Sequence, residues 1–267
     1  MDFSKKHLIK QLAKKLLPQK FFSNIQKAHR KLRYLFLYSQ FSNKIRYFGI
    51  AHYCPICRSY LSKLLPFGVN PRPNALCPVC GSLERHRLIF LFMSKKTDVF
   101  LPPIKSMLHI APEKCMENIF KKSEYINYIT ADLAPYALLQ MDLTNISIQD
   151  EIFDIIYISH VFEHIVDDRK AMQEVFRVLK KNGWAILQVP INSEITFEDP
   201  SITNPKEREH FFGQSDHVRI YGLDYYNRLS EVGFTIRRQR LILQENPNIV
   251  KKLVISADED IVLCTKK

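Results

Sequence analysis

Six cysteines occur in the 267 residues, and four fall as two close pairs, Cys54-Pro-Ile-Cys57 and Cys77-Pro-Val-Cys80. A pair spaced this way sits on a tight knuckle from which both sulfurs reach one ion, and two pairs complete a tetrahedral thiolate set. No secretory signal pattern opens the sequence, and in a reducing compartment such pairs hold metal rather than disulfides. Zn2+ is the ion expected at Cys54, Cys57, Cys77 and Cys80. No carboxylate accompanies the set to activate a water, so the expected role is structural. Binding then contributes folding free energy to a segment broken by Pro55, Pro66, Pro71, Pro73 and Pro78, which reads as loop-rich. His52 and His86 lie near enough in sequence to replace a ligand, but four sulfurs already close the shell. Cys115 and Cys264 stand alone and read as ordinary small side chains.

A second constellation begins at Leu108-His109-Ile110-Ala111-Pro112-Glu113, a strand running into a turn and a helix start. Asp132 ends the next strand, nineteen positions after Glu113. An acidic residue about 20 positions beyond such a turn suits the ribose hydroxyls of a nucleoside. None of the seven glycines (49, 68, 81, 183, 213, 222 and 233) lies in the turn. That counts against a pyrophosphate cofactor, whose phosphates need close backbone approach and freedom at positive φ. A nucleoside without phosphate makes no such demand, and Pro112 suits the first position of a helix.

The elements that must carry these groups follow from pattern. Strands are expected at Met107–Ala111, Asn127–Asp132, Phe153–Ser159, Trp184–Val189, Thr235–Leu243 and Ile261–Thr265, with a short one at Leu138–Asp142. Helices are expected near Leu83–Lys96, Glu113–Lys122, His164–Lys181 and Asp224–Val232, with Gly183 and Gly233 as stops. Strand–helix alternation from residue 107 onward predicts an α/β sheet. Three units result: a basic amphipathic helical arm (1–50), a four-cysteine zinc module with its helix (51–100), and the α/β domain (101–267).

Charge is uneven. Net charge is +12, yet the first 50 residues hold twelve lysines and arginines against Asp2 alone. Apolar residues at Leu8, Ile9, Leu12, Leu16 and Leu17 form one helical stripe, and a second pattern runs through Ile25, Ala28, Leu32, Leu35 and Phe36. Such an arm either packs on the body with a solvated lysine face or docks on anionic lipid through residues 1–45. No apolar run reaches the roughly 20 residues of a membrane-spanning helix. The expected location is the cytoplasm, with peripheral contact at the inner membrane face as the arm's sharper reading.

Residues 107–191 resemble the type 11 class I methyltransferase domain. The resemblance rests on LHIAPE (108–113), AD (131–132), MDLTN (141–145), FDIIYISHVFEH (153–164) and EVFRVLKKNGWAILQVP (174–190). FGQSDHVRIYGLDYYNRLSEVGF (212–234) is similar to a bacterial subgroup that joins this domain to CPVCGSLERHR (77–87). The resemblance implies a Rossmann-like, seven-stranded methyltransferase sheet with an N-terminal zinc-ribbon-like module, and S-adenosylmethionine as methyl donor. It implies His109, Ala111 and Glu113 at the methionine end, Asp132 on the ribose, Asp142 and Leu143 by the adenine, and His160 closing the pocket. Lys181-Asn182-Gly183 departs from the more usual Pro-Gly-Gly.

Methyl transfer is an in-line displacement in which the protein orients the acceptor and removes a proton where one must leave. Glu163 and His164, after the fourth strand, and Asp216 and His217, after the fifth, are the candidate catalytic groups. The stretch 194–221, which also carries His210, Phe211, Phe212, Arg219 and Tyr221, reads as a substrate-covering lid. The leading expectation is a small-molecule, glycan or lipid-linked acceptor. An rRNA or tRNA methyltransferase is the first alternative, although basic residues are not concentrated in the zinc module. A non-catalytic zinc-stabilised scaffold is the second, supported by the glycine-free turn.

Overall fold

The computed structural model describes residues 40–68, 70–240, 246–255 and 259–267. Both amphipathic patterns of the basic arm lie outside the described residues.

β1 (Phe48–Cys54) pairs antiparallel with β2 (Ser59–Leu61), and β3 (Leu65–Phe67) with β4 (Arg72–Leu76). The segment expected to be loop-rich is therefore two short hairpins. Pro66 and Pro73 lie on opposite strands of the one β3–β4 ladder and are tolerated because its two open edges ask for no donor. α1 (Glu84–Lys96) follows directly from the second cysteine pair.

The central sheet comprises β5 (Lys105–Ile110), β6 (Ile126–Asp132), β7 (Leu139–Gln140), β8 (Phe153–Ser159), β9 (Leu179–Gln188), β13 (Thr235–Gln239) and β14 (Ile261–Thr265). Its order is β13-β14-β9-β8-β5-β6-β7. β5 to β9 run parallel, and β14 is antiparallel to both of its neighbours. The chain leaves β5 toward β6 on one side and returns to β8 on the other. That topological switch opens a crevice at the carboxyl ends, where ligands of such sheets bind.

Period-two alternation sends the two faces of each strand into two cores. Leu108, Ile110, Ile156, Ile158, Ala185 and Leu187 meet Ala171, Met172 and Val175 of α3 (Asp168–Val178) and Leu229 of α5 (Tyr225–Val232). Met107, Ile155, Tyr157 and Ile186 face the other way, onto Leu88, Ile89, Phe92 and Met93 of α1 and Met116 and Phe120 of α2 (Lys114–Phe120). The helix issuing from the cysteine knuckle thus covers the central sheet itself.

Three elements depart from expectation for identifiable reasons. The helix expected from His164 begins only at Asp168, where Asp167 caps it through Lys170 N at 3.0 Å. Phe162–His164 form a separate 3-10 turn that fixes Glu163 and His164 at the end of β8. Gly183 is not a helix stop but lies inside β9, where a Cβ would sit 2.9 Å from Lys180 O and 3.0 Å from Asp154 O. The stretch expected to be a lid is folded. β10 (Ile191–Ser193), β12 (Arg219–Gly222) and β11 (Phe197–Glu198) form a small sheet, and α4 (Pro205–Phe212) closes between them. α6 (Pro247–Leu253) packs on β1.

Candidate active site and thiolate centre

The thiolate centre is built by repetition. Cys54 ends β1 and Cys57 precedes β2; Cys77 follows β4 and Cys80 precedes α1. After each second cysteine the backbone turns left-handed, at Arg58 (φ 53) and Gly81 (φ 73). The four sulfurs lie within 4.8 Å of one another, with Cys54–Cys80 at 3.6 Å and Cys57–Cys77 at 3.7 Å. Tetrahedral bonds of about 2.3 Å to one Zn2+ would separate the sulfurs by roughly 3.8 Å, so the donor set fits that ion. Ser82 Oγ lies 3.3 Å from Cys54 Sγ and 3.2 Å from Cys80 Sγ, and Ser59 Oγ 3.3 Å from Cys57 Sγ. These hydroxyls offer the outer hydrogen bonds that steady thiolate ligands. His52 and His86 stand outside this set. Cys115 and Cys264 are buried, and burial pushes the Cys115 thiol up to about 12.

At the carboxyl end of β5, Ala111 N donates to Ala131 O at 2.9 Å, and Ala111 turns left-handed at φ 47. The turn reaches without glycine the conformation that glycine usually supplies. Glu113 then opens α2, and its carboxylate swings back under the turn. It accepts from His109 Nε2 at 2.8 Å and Tyr157 OH at 3.3 Å, with His86 Nε2 at 3.5 Å. The Glu113 carboxylate only accepts, so Nε2 is the donor, and Nδ1 of the neutral ring accepts from Tyr128 OH at 2.7 Å. Burial alone would raise the Glu113 carboxyl, but the hydrogen bond from His109 and the nearby His86 ring hold it well below the usual range. His109, expected at the methionine end, is 0% exposed and enclosed by Phe120, Tyr128 and Tyr157. It reaches the crevice only through Glu113.

Asp132, at the end of β6, accepts from Ala134 N at 2.9 Å and from Tyr136 OH at 2.6 Å. Asp142 accepts from Thr144 N and Oγ1 at 2.8 and 2.9 Å, and Leu143 beside it is buried. Each carboxylate keeps unused lone pairs. Leu133, Tyr136 and Leu138 are exposed beside Asp132. Carboxylate acceptors next to uncovered apolar side chains fit the sugar and base of a nucleoside, so the residues present suit S-adenosylmethionine.

His160 follows β8 at φ 56, the second left-handed non-glycine residue at this edge, and its Nδ1 lies 3.3 Å from Glu163 Oε1. The four catalytic candidates come together around it. His164 Nδ1 lies 3.2 Å from Asp216 Oδ2, and the His164 and His217 rings meet edge-to-face at 4.6 Å. His217 Nδ1 lies 3.2 Å from Phe212 O, and Val218 N donates to Glu163 O at 2.9 Å. Burial, then the neighbouring His164, holds the His217 imidazole below its ordinary value.

Other residues of the expected lid serve the scaffold. Arg219 is buried and donates to Phe162 O, Ile165 O and Val166 O, while Tyr221 OH donates to Asp168 at 2.7 Å. His210 and Phe211 are exposed on α4, and Phe212 is buried against Phe197.

A cleft of about 640 Å³ opens beside His160, between the ends of β8 and β9 and the thiolate module. Gln188, Asn192, Glu259 and Arg238 line one side, with Arg72, Glu84 and Arg85 opposite. Burial lifts the Glu259 carboxyl above its ordinary range, against the pull of His160 and Arg85. Arg85 Nε is buried without a hydrogen-bond partner among the described residues. Sequence reasoning singled out none of these residues except His160; Arg85 lies within the quoted CPVCGSLERHR, but its aim depends on α1 packing against the sheet.

A methyltransferase domain family matches residues 106–187. A search of curated proteins finds no match. Among solved structures, the chain is similar to the YcgJ protein from Bacillus subtilis at 16% identity, covering 68% of this chain and 100% of that one, with a TM-score of 0.44. It is also similar to an S-adenosylmethionine-dependent methyltransferase from Archaeoglobus fulgidus at 13% identity, covering 67% and 93%, with a TM-score of 0.45. The domain match and the seven-stranded sheet define a class I methyltransferase domain of Rossmann-like fold. Residues 106–187 thus mark the chain as an enzyme with a methyltransferase domain.

Proposed function

We propose that the enzyme methylates a small-molecule or glycan acceptor, lipid-linked glycans included, seated in the cleft beside His160. The cleft itself carries the reading. Its volume lies in the range of small-ligand pockets, and its lining of arginines, carboxylates and amides suits a polyhydroxylated molecule. The unpartnered Nε of Arg85 is a donor awaiting such a ligand.

When bound, S-adenosylmethionine supplies a methyl group on a positively charged sulfur. Asp132 accepts from the ribose hydroxyls, and Asp142 and Leu143 border the adenine. Ala111 and Glu113 border the methionine end, with His109 holding Glu113 in place. His160 separates the donor crevice from the acceptor cleft. One of Glu163, His164, Asp216 and His217 takes the proton that an acceptor hydroxyl must lose, and Asp216 is the one that stays free to do so if the other three hold a metal. In the thiolate centre, Cys54, Cys57, Cys77 and Cys80 would hold Zn2+, which would lock the β1–β2 hairpin to the knuckle that leads into α1, whose Arg85 forms one wall of the cleft.

The test has two arms. Calorimetry should show micromolar S-adenosylmethionine binding to the wild type and its loss in Asp132→Ala. Transfer of labelled methyl to lysate fractions should then label glycan, lipid or small-molecule pools. Labelling confined to RNA, steeply weakened by salt, would replace this acceptor with a nucleic acid.

A further inference from the structure

Glu163, His164 and His217 each offer one ligand atom within 4.8 Å of the others, in a part of the molecule remote in sequence from the four cysteines. Two come from the 3-10 turn after β8 and the third from the loop before β12, so rigid strands fix both sides. We infer that Glu163, His164 and His217 form a second metal site, one that takes a divalent first-row transition ion at the acceptor edge. Its use on the acceptor rests on the methyl-transfer reading; the binding itself does not.

Two independent observations carry the assignment. The first is an unmet need. The Glu163 side chain is 2% exposed, and its Oε2 has no hydrogen-bond partner. Leaving a carboxylate oxygen buried and bare is costly, whereas a cation within the cluster would satisfy it. The second is the orientation of the rings. His217 Nδ1 faces Phe212 O, and His164 Nδ1 faces Asp216 Oδ2, both at 3.2 Å. Each Nδ1 is therefore the donor, so in the neutral ring Nε2 keeps its lone pair. An imidazole held by a carbonyl or carboxylate through one nitrogen and free at the other is the usual arrangement of a metal-ligating histidine.

Two imidazoles and one carboxylate suit zinc or ferrous iron better than magnesium or calcium, which prefer oxygen alone. Three protein ligands leave coordination positions open for water or an acceptor hydroxyl. His164 is 33% exposed and Asp216 68%, so the site is reachable from solvent. An acceptor hydroxyl on such an ion loses its proton more readily than in water. The four thiolates, by contrast, already fill a tetrahedral shell.

The experiment counts metal on the full-length protein. Wild type, Glu163→Gln and His217→Asn are purified, equilibrated in turn with Zn2+, Fe2+, Mn2+ and Co2+, and analysed by plasma mass spectrometry. Circular dichroism confirms that each variant is folded, and His164→Gln substitutes for any that is not. The wild type should hold two equivalents and the variants one, with affinity for the second weakened at least tenfold. With Co2+, the thiolate charge-transfer band should persist in the variants, showing that the remaining ion sits on the cysteines. A single equivalent with every ion, or a second one that the variants retain unchanged, overturns the site. Calorimetry with S-adenosylmethionine on the same samples keeps the two readings apart. Two metals without nucleoside binding would end the methyltransfer reading and leave the metal site standing.

Discussion

Glu113 Oε2 lies 2.8 Å from His109 Nε2, joining the penultimate residue of β5 to the N-cap of α2 beneath the donor crevice. His86, from the helix that follows the cysteine knuckle, approaches the other carboxylate oxygen at 3.5 Å, while its Nδ1 accepts from Leu83 N at 3.1 Å. One carboxylate thus links the central strand, the turn at the crevice and the thiolate module. Two ring N–H groups converge on it. Gln in its place would offer one acceptor oxygen and turn an amide N–H toward a ring donor.

Glu113→Gln should therefore destabilise the fold by about 1–3 kcal/mol at neutral pH. The pH dependence has a definite sign. The folded Glu113 carboxyl binds protons less readily than the unfolded one, so its stabilisation is complete above the ordinary value of 4.5 and is lost as pH falls below it. Burial lowers His86 below 6.5, against the pull of Glu113, so acidification through that range also favours the unfolded chain. Melting temperature in the wild type should fall from neutral pH downward, and the part of the fall below pH 4.5 should be shallower in Glu113→Gln. Parallel curves would remove Glu113 from the balance.

Arg87 makes a comparable junction on the far side of the cysteine knuckle. It is fully buried and donates through Nε to Leu253 O and through Nη2 to Val254 O, both at 2.7 Å. Its Nη1 donates to Ala75 O and Ser82 O at 3.0 Å. A lysine has three donors around one nitrogen and cannot span four carbonyls on three segments, β4, the knuckle after Cys80 and the end of α6. Arg87→Lys should cost about 2–4 kcal/mol, with hydrogen exchange accelerated first in residues 247–255. A melting temperature within about 2 °C of wild type would show the clamp to be dispensable.

The central sheet was legible because its strands are short apolar runs between amphipathic helices, and the parallel Phe153–Ser159 and the antiparallel Ile261–Thr265 both match residue for residue. Local punctuation misled where long-range pairing decides. Gly183 carries the mark of a helix stop, yet β9 pairs Leu179 with Phe153 and Trp184 with Ile155, and the extra residues bulge through Asn182 at φ 62. The hairpins of the cysteine module are two or three pairs long, too short for an alternating pattern to show above their prolines. The polar stretch 194–221 carries no local strand signal, because β12 is held by pairing with β10 and β11, which lie on the far side of α4 in the sequence. At the site, spacing singled out His164 and His217 separately. Their edge contact depends on Val218 bonding to Glu163, which sequence cannot show.

Ala111 tests whether the glycine-free turn is strained. A left-handed alanine costs about 1–2 kcal/mol, while glycine gives back about 0.4–1 kcal/mol through the entropy of the unfolded chain. Ala111→Gly should thus range from neutral to about 1.6 kcal/mol more stable. Ala111→Val, branched at Cβ and held at φ 47, should be destabilised by more than about 1 kcal/mol. Denaturant titration of both variants checks the order; a glycine variant less stable than the valine one would place the cost elsewhere.

Tyr136 competes for the carboxylate assigned to the ribose. Its hydroxyl donates to Asp132 Oδ2 at 2.6 Å, although the side chain is otherwise exposed and has little to hold it there. A nucleoside bringing two hydroxyls to Asp132 must share or displace that bond. Tyr136→Phe removes the competitor while keeping the ring as an apolar surface beside the base. Affinity for S-adenosylmethionine should rise about 2- to 10-fold, the equivalent of one net hydrogen bond. Asp132→Ala should lower it by more than about tenfold, because charge-assisted acceptors are lost outright. The two variants discriminate between roles: if Tyr136→Phe weakens binding as Asp132→Ala does, the hydroxyl is part of the nucleoside site rather than a stand-in for its ligand.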